Sequence, residues 1–146
     1  MSVVPTILKL VMQYVSYPVE SVKNIILGGD IFTEDLLQDI HTKYPNARIF
    51  NEYGPSENCI ASTCKIDVRP GQTNNIGKPI KGTKAYILNK DLGVLPQGVI
   101  GDIYVTGPGL TRGYIGDNPQ PYDHFITNPF HEGERLYDTG DLGYLD

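Results

Sequence analysis

The sequence has no tryptophan, two cysteines, two methionines and three histidines in 146 residues. Each shortage removes a class of function. His41, His124 and His131 are scattered, with no second ligand at metal spacing, and no serine sits in a G-x-S-x-G turn. The histidines read as satisfied or exposed side chains. Cys59 and Cys64 fit neither a zinc knuckle nor a redox pair, and read as free, partly buried thiols of a reducing compartment. There is no basic excess: the net charge is −5, with acids and bases interspersed, which excludes a nucleic-acid footprint. No apolar run spans a bilayer. The longest, "VVPTILKLVMQYV", is interrupted by Pro5 and Lys9, and no small-residue cleavage site follows it as in a signal peptide. The expectation is a soluble cytoplasmic protein with no nucleic-acid or membrane partner.

What is present is globular composition, with 40% apolar and 10% aromatic residues. That is enough chain for one domain with a real core. Val4, Ile7, Leu8, Val11 and Val15 fall on one face at helical spacing, with Pro5 tolerated in the first turn. "NIILGGD" suits a buried strand entering a tight turn. Thr33 reads as the N-cap of "EDLLQDIHTKY", which has acids in its first turn and Lys43 in its last. Pro45 stops that helix and "ARIFNEYG" is a second strand. Strand, helix, strand is the rhythm of a parallel α/β sheet, whose ligands bind beyond the carboxyl ends of its strands. After Arg69, "AYILN", "GDIYVTG" and "ERLYDTGDLGYL" are divided by Gly, Pro, Asn and Asp turns and read as an antiparallel sheet or small barrel. The expected division is a partial α/β subdomain over 1–68 and a β-rich subdomain over 69–146.

One turn carries unusual chemistry. "NEYGPSEN", residues 51–58, follows the strand "RIF" with a ring, a hydroxyl and two acids. The ring can stack on a flat base. A hydroxyl beside a carboxylate can hold a phosphate oxygen and a magnesium ion, which takes oxygen ligands. Equally, Ser56 can cap the next segment while Glu57 complements its dipole. "DTGD" at 138–141 can hold a metal or ribose hydroxyls, although a hairpin turn with solvated acids is the cheaper account. "GPGLTRGY" lacks the Gly-Lys-Ser/Thr ending of a phosphate loop and reads as a structural turn around Arg112. The tyrosines are mostly strand residues, where they are at home.

The order of the motifs carries more than any one of them. "ILGGD", "NEYGPSE", "NIGKPI", "GDIYVTGPGLTRGY" and "NPFHEGERLYDTGDL" together resemble the adenylate-forming (AMP-binding) superfamily, and within it the adenylation domains of nonribosomal peptide synthetases. "YGPSE" with the last run favours amino-acid activators; an acyl-CoA-synthetase-like ligase is the alternative within the family. The resemblance implies that the turn Asn51–Glu52–Tyr53–Gly54 meets the nucleotide. Tyr53 would stack on adenine and Asn51 would bond its exocyclic amine. Gly28 and Gly29 would let backbone approach the base. Ser56, standing where the family usually has threonine, would reach the α-phosphate. Glu57 would bind Mg2+ and Asp141 would hold the ribose hydroxyls. Asp30 replaces the usual glutamate and is given no role. Ile26, Gly28, Glu52, Ile60 and Ala61 match positions that line the amino-acid pocket, where asparagine, tyrosine or a basic residue all remain open.

The implied reaction is attack of an amino-acid carboxylate on the ATP α-phosphorus, giving aminoacyl-AMP and pyrophosphate. It needs alignment and charge neutralisation, which the family draws from Mg2+ and a lysine. Against that pattern the sequence lacks the lysine-containing loop around the β- and γ-phosphates and the aspartate for the substrate amino group. It also lacks the later arginine, the hinge, the lid and the phosphopantetheine carrier domain. The expectation is therefore a fragment of an adenylating domain with no complete catalytic set, inactive alone. Its partners would be ATP, an amino acid and a carrier protein. The alternatives are an adenosine-nucleotide-binding remnant, one half of a split enzyme that pairs with the missing part, or an unrelated β-rich interaction domain.

Overall fold

The computed structural model describes residues 1–115 and 124–146. Part of the predicted turn "GPGLTRGYIGDNPQP", from 116 on, lies outside the described residues. The chain forms two compact units, one of 1–54 with 63–78 and the other of 55–62 with 79–146.

The first unit begins with β1 (Ser2–Val3), α1 (Pro5–Met12), β2 (Asn24–Gly28), α2 (Glu34–Lys43), β3 (Arg48–Tyr53) and β4 (Thr63–Ile66). With β5 (Lys78–Pro79) the sheet order is β1-β2-β3-β4-β5. The α2 helix starts where the sequence predicts: Leu36 N donates to Thr33 Oγ1 at 3.3 Å, satisfying one of the orphan donors of the first turn. Its return allows β3 to run parallel to β2, in register Asn24↔Arg48 to Gly28↔Glu52. The β3–β4 connection is too short for a crossover, so β4 comes back antiparallel. The sheet is therefore mixed where the sequence suggested a parallel one. Ile25, Leu27 and Ile49 pack in one core with Leu8 and Met12 of α1 and Leu36, Leu37 and Ile40 of α2.

The buried stripe of α1 differs from the expected face. Pro5, Leu8 and Met12 turn inward, while Val4, Ile7 and Val11 are exposed. The helix is apolar at most of its positions, so two stripes offset by one residue compete and share Leu8. Periodicity alone does not separate them.

In the second unit a short 3-10 turn, Ser56–Asn58, precedes a four-stranded antiparallel sheet. Its order is β6-β7-β9-β8, with β6 (Lys84–Leu88), β7 (Gly101–Thr106), β8 (Phe125–Thr127) and β9 (Arg135–Gly143). Leu88, Tyr104 and Leu136 form a core there with Tyr86, Leu92 and Ile126 around them. "DTGD" is not a hairpin turn. It lies inside β9, where Tyr104↔Asp138 and Asp102↔Leu142 pair and the register shifts between them. The extra residues of the bulge are accommodated by Gly140 at φ +75°. Thr139 Oγ1 donates to Ile103 O at 2.9 Å, which ties the bulge back to β7.

Candidate functional site

Strand alternation sorts the predicted residues of the first unit. Leu27 and Asn51 are register partners, as are Gly28 and Glu52. In a parallel pair, partners share a face and successive residues alternate. Asn51 and Tyr53 therefore lie on the side of Ile49 and the helical core, and Ile26, Gly28 and Glu52 on the other. Cys64 joins that second face opposite Glu52. Burial raises the Cys64 thiol pKa, and the charge of Glu52 adds to the shift. Gly28 is glycine for a steric reason: a Cβ there would stand 2.9 Å from Glu52 O. Gly29, at φ +80°, turns the chain out of β2. Asn51 is buried, and its Nδ2 donates to Thr73 O at 3.1 Å and Asn75 O at 3.2 Å.

Gly54 ends the first unit's share of the turn, and Ser56, Glu57, Ile60 and Ala61 belong to the second. Ser56 does not cap the following turn; the N-cap is Pro55, with no side-chain bond. Glu57 is held instead by an aromatic hydroxyl. Tyr114 OH donates to Glu57 Oε1 at 2.6 Å and lies 3.1 Å from Tyr137 OH. That hydrogen bond to the charged form holds the Glu57 carboxyl below the usual range. Burial, followed by the Tyr114 bond, pushes the Tyr137 phenol far above its ordinary value. Asn58 donates from Nδ2 to Ser62 Oγ at 2.9 Å, while its buried Oδ1 has no partner among the described residues. Cys59 and Ile60 follow with φ of 52° and 76°, a left-handed pair that a β-branched residue rarely enters. Ile60 is exposed and Ala61 half-buried. Asp141 sits in the β9 bulge and is exposed; its backbone N–H donates to Thr139 Oγ1 at 3.2 Å.

The fit to Mg2+ rests on donor chemistry. Among the described residues no group of three or more His, Cys, Asp or Glu could form an all-protein cage. A single ionised carboxylate at Glu57 suits an ion that takes its other ligands from phosphates and water. Sequence reasoning missed Tyr114 and Tyr137, because a tyrosine in a turn or strand is ordinary. It also missed Glu34 and Thr73, whose bond from Thr73 Oγ1 to Glu34 Oε1 at 2.8 Å joins residues far apart in sequence. None of the four carries a local signal. Of the thiols, Cys59 is exposed and Cys64 half-buried, and both are free. Among the described residues no helix is long and apolar enough to cross a membrane.

The mixed sheet, whose strand β3 runs into this polar turn, is followed in the chain by an antiparallel sheet with a bulged "DTGD". The family model of the AMP-binding enzymes matches residues 1–115, and the chain belongs to that family. Among individual relatives, it is 36% identical over 139 residues to bacitracin synthase 3 of Bacillus licheniformis, covering 95% of this chain and 2% of that protein. It is 38% identical over 118 residues to tyrocidine synthase 3 of Brevibacillus parabrevis, covering 81% and 2%. The nonribosomal peptide synthetase FmoA3, solved with AMPPNP bound, superimposes with a TM-score of 0.83 at 28% identity, over 99% of this chain and 16% of that one. PA1221, which contains adenylation and PCP domains, shares the fold with a TM-score of 0.83 at 24% identity, over 99% and 30%. The chain thus spans a small part of each protein it matches.

Proposed function

We propose that this chain supplies one side of the ATP and amino-acid site of a nonribosomal peptide synthetase adenylation domain. In that reading 1–68 and 69–146 are two subdomains of the domain. The observation that carries it is the two-faced end of β3, where Asn51 and Tyr53 point one way and Glu52, beside Gly28, the other. A base and an amino-acid side chain need separate surfaces close to one reacting phosphorus, and adjacent residues of a strand provide them. Tyr53 would stack on adenine and Asn51 would accept from its amine. Ser56 would bond the α-phosphate and Asp141 the ribose hydroxyls. Glu57 would hold Mg2+, which supplies charge neutralisation on the phosphates when bound.

Ile26, Gly28, Glu52, Ile60 and Ala61 would line the amino-acid pocket. A carboxylate only accepts hydrogen bonds, so Glu52 suits a substrate side chain ending in a donor, such as asparagine, tyrosine or a basic residue. The acceptor of the aminoacyl group would be a phosphopantetheine-bearing carrier protein. Two free thiols support synthesis in the cytoplasm.

The test is a titration of the 15N-labelled chain with AMP and then GMP, with Mg2+ present. The expected result is saturable, AMP-selective shifts at Asn51, Tyr53 and Asp141. A dispersed spectrum indifferent to both nucleotides overturns the nucleotide contacts proposed here for Asn51, Tyr53 and Asp141 in this chain.

A further inference from the structure

Glu34, the first residue of α2, collects a loop distant in sequence. Its Oε1 accepts from Gly71 N at 3.0 Å, Thr73 N at 3.4 Å and Thr73 Oγ1 at 2.8 Å. Backbone bonds from Gln72 N to Arg69 O and from Asn75 N to Gln72 O, each 3.0 Å, wind the loop into consecutive turns. Asn75 Oδ1 accepts from Gly77 N at 2.7 Å. The carbonyls of Thr73 and Asn75 then converge on Asn51 Nδ2. All of these groups belong to the first unit.

This arrangement orients the Asn51 amide. An asparagine amide has a donor end and an acceptor end of nearly equal shape. A flip of 180° here would set Oδ1 against two carbonyl oxygens and leave a buried nitrogen without acceptors, each costly. With Nδ2 committed to the loop, the oxygen is the end of the amide left to accept from a base. At C6 adenine carries an amine and guanine a carbonyl. An oriented amide oxygen accepts from the first and repels the second.

We propose that Glu34 is a positioning residue for base selection: by fixing the loop that carries the Thr73 and Asn75 carbonyls, it locks Asn51 in the orientation that favours adenine over guanine. The selection rests on the adenylate reading above; the locking of Asn51 stands without it.

The experiment uses the whole 15N-labelled chain as wild type, Glu34→Ala, Glu34→Gln and Thr73→Val. Without nucleotide, Glu34→Ala is expected to speed water exchange of the Asn51 side-chain amide protons about tenfold, while the backbone amides of Ile25, Leu27 and Ile49 stay protected. An unchanged Asn51 amide in a folded variant overturns the positioning role. With nucleotide, the AMP-to-GMP affinity ratio is expected to fall about three- to tenfold in Glu34→Ala, the worth of one oriented hydrogen bond. Glu34→Gln, which keeps a carbonyl acceptor, should stay within about twofold. A ratio unchanged in Glu34→Ala overturns the selection. If Glu34→Ala does not fold, Thr73→Val, which deletes a single donor, carries the same two readouts. A wild type that binds both nucleotides alike, or neither, overturns the proposed contact of Asn51 with the base and with it the selection, and the amide exchange still decides whether Glu34 holds Asn51.

Discussion

Glu57 shows how a residue's environment decides its chemistry. A lone carboxylate on a short turn is loosely oriented; one bonded to Tyr114 at 2.6 Å has its orientation and its charge set in advance. Tyr114→Phe removes that donor, so the Glu57 carboxyl should titrate closer to 4.5, the ordinary value it now lies below. Carboxyl 13C shifts read this directly. The sign for stability follows. A carboxyl whose folded pKa is depressed contributes stability above its unfolded pKa and loses it as pH falls through the folded one. Glu34 and Glu134 are also lowered, by Thr73 and Lys84 respectively. The melting temperature should therefore hold from pH 7 to about 5 and fall below about 4.5. Glu34→Gln should make that fall shallower.

The left-handed pair after the motif is a second residue-scale feature. Ile60 at φ 76° incurs about 1–3 kcal/mol of backbone strain, and its exposed side chain recovers little by burial. Asparagine enters this region more readily. Ile60→Asn should raise stability by about 1 kcal/mol in urea unfolding. An unchanged or lower midpoint would show that the turn is not strained at this position.

At the scale of elements, the sequence was most legible where one local rule acted alone. Thr33, Pro45 and the apolar run "NIIL" placed α2, β2 and β3 because cap, breaker and strand propensity agree there. The β7 and β9 strands followed for the same reason. The "DTGD" bulge was hidden, since Gly between two acids has the same composition in a turn and in a bulge, and only pairing with β7 tells them apart. The order of the five motifs carried the family, but the two faces of β3 needed the register. That register makes its own prediction. Gly28→Ala places a methyl 2.9 Å from Glu52 O, and backbone cannot give way as a side-chain tip can. The substitution should cost about 1–3 kcal/mol in urea unfolding, although alanine would otherwise favour the folded state by lowering the entropy of the unfolded chain. A neutral result would mean β2 and β3 are not held in this register.

For the molecule as a whole, the α1 helix poses the sharpest contrast. Two stripes compete on it, and burial chooses between them: Leu8 is 0% exposed and its neighbour Ile7 51%. Leu8→Ala should then cost about 2–5 kcal/mol, as for other fully buried leucines, whereas Ile7→Glu should leave the unfolding midpoint within about 0.5 kcal/mol. The exposed stripe has a separate consequence for association. Val4, Ile7, Leu10 and Val11 together make a contiguous apolar surface, but a helix of eight residues is only about 12 Å long. Two such faces bury far less than the roughly 1,200 Å² of a stable interface. The expected behaviour is reversible, concentration-dependent self-association rather than a defined dimer. Sedimentation velocity on wild type and on Ile7→Glu with Val11→Lys decides it. The charged variant should remain monomeric at concentrations where wild type associates, with the same melting temperature. If both associate alike, the contact lies elsewhere on the molecule; if the variant melts early, the sequence-predicted face is the buried one after all.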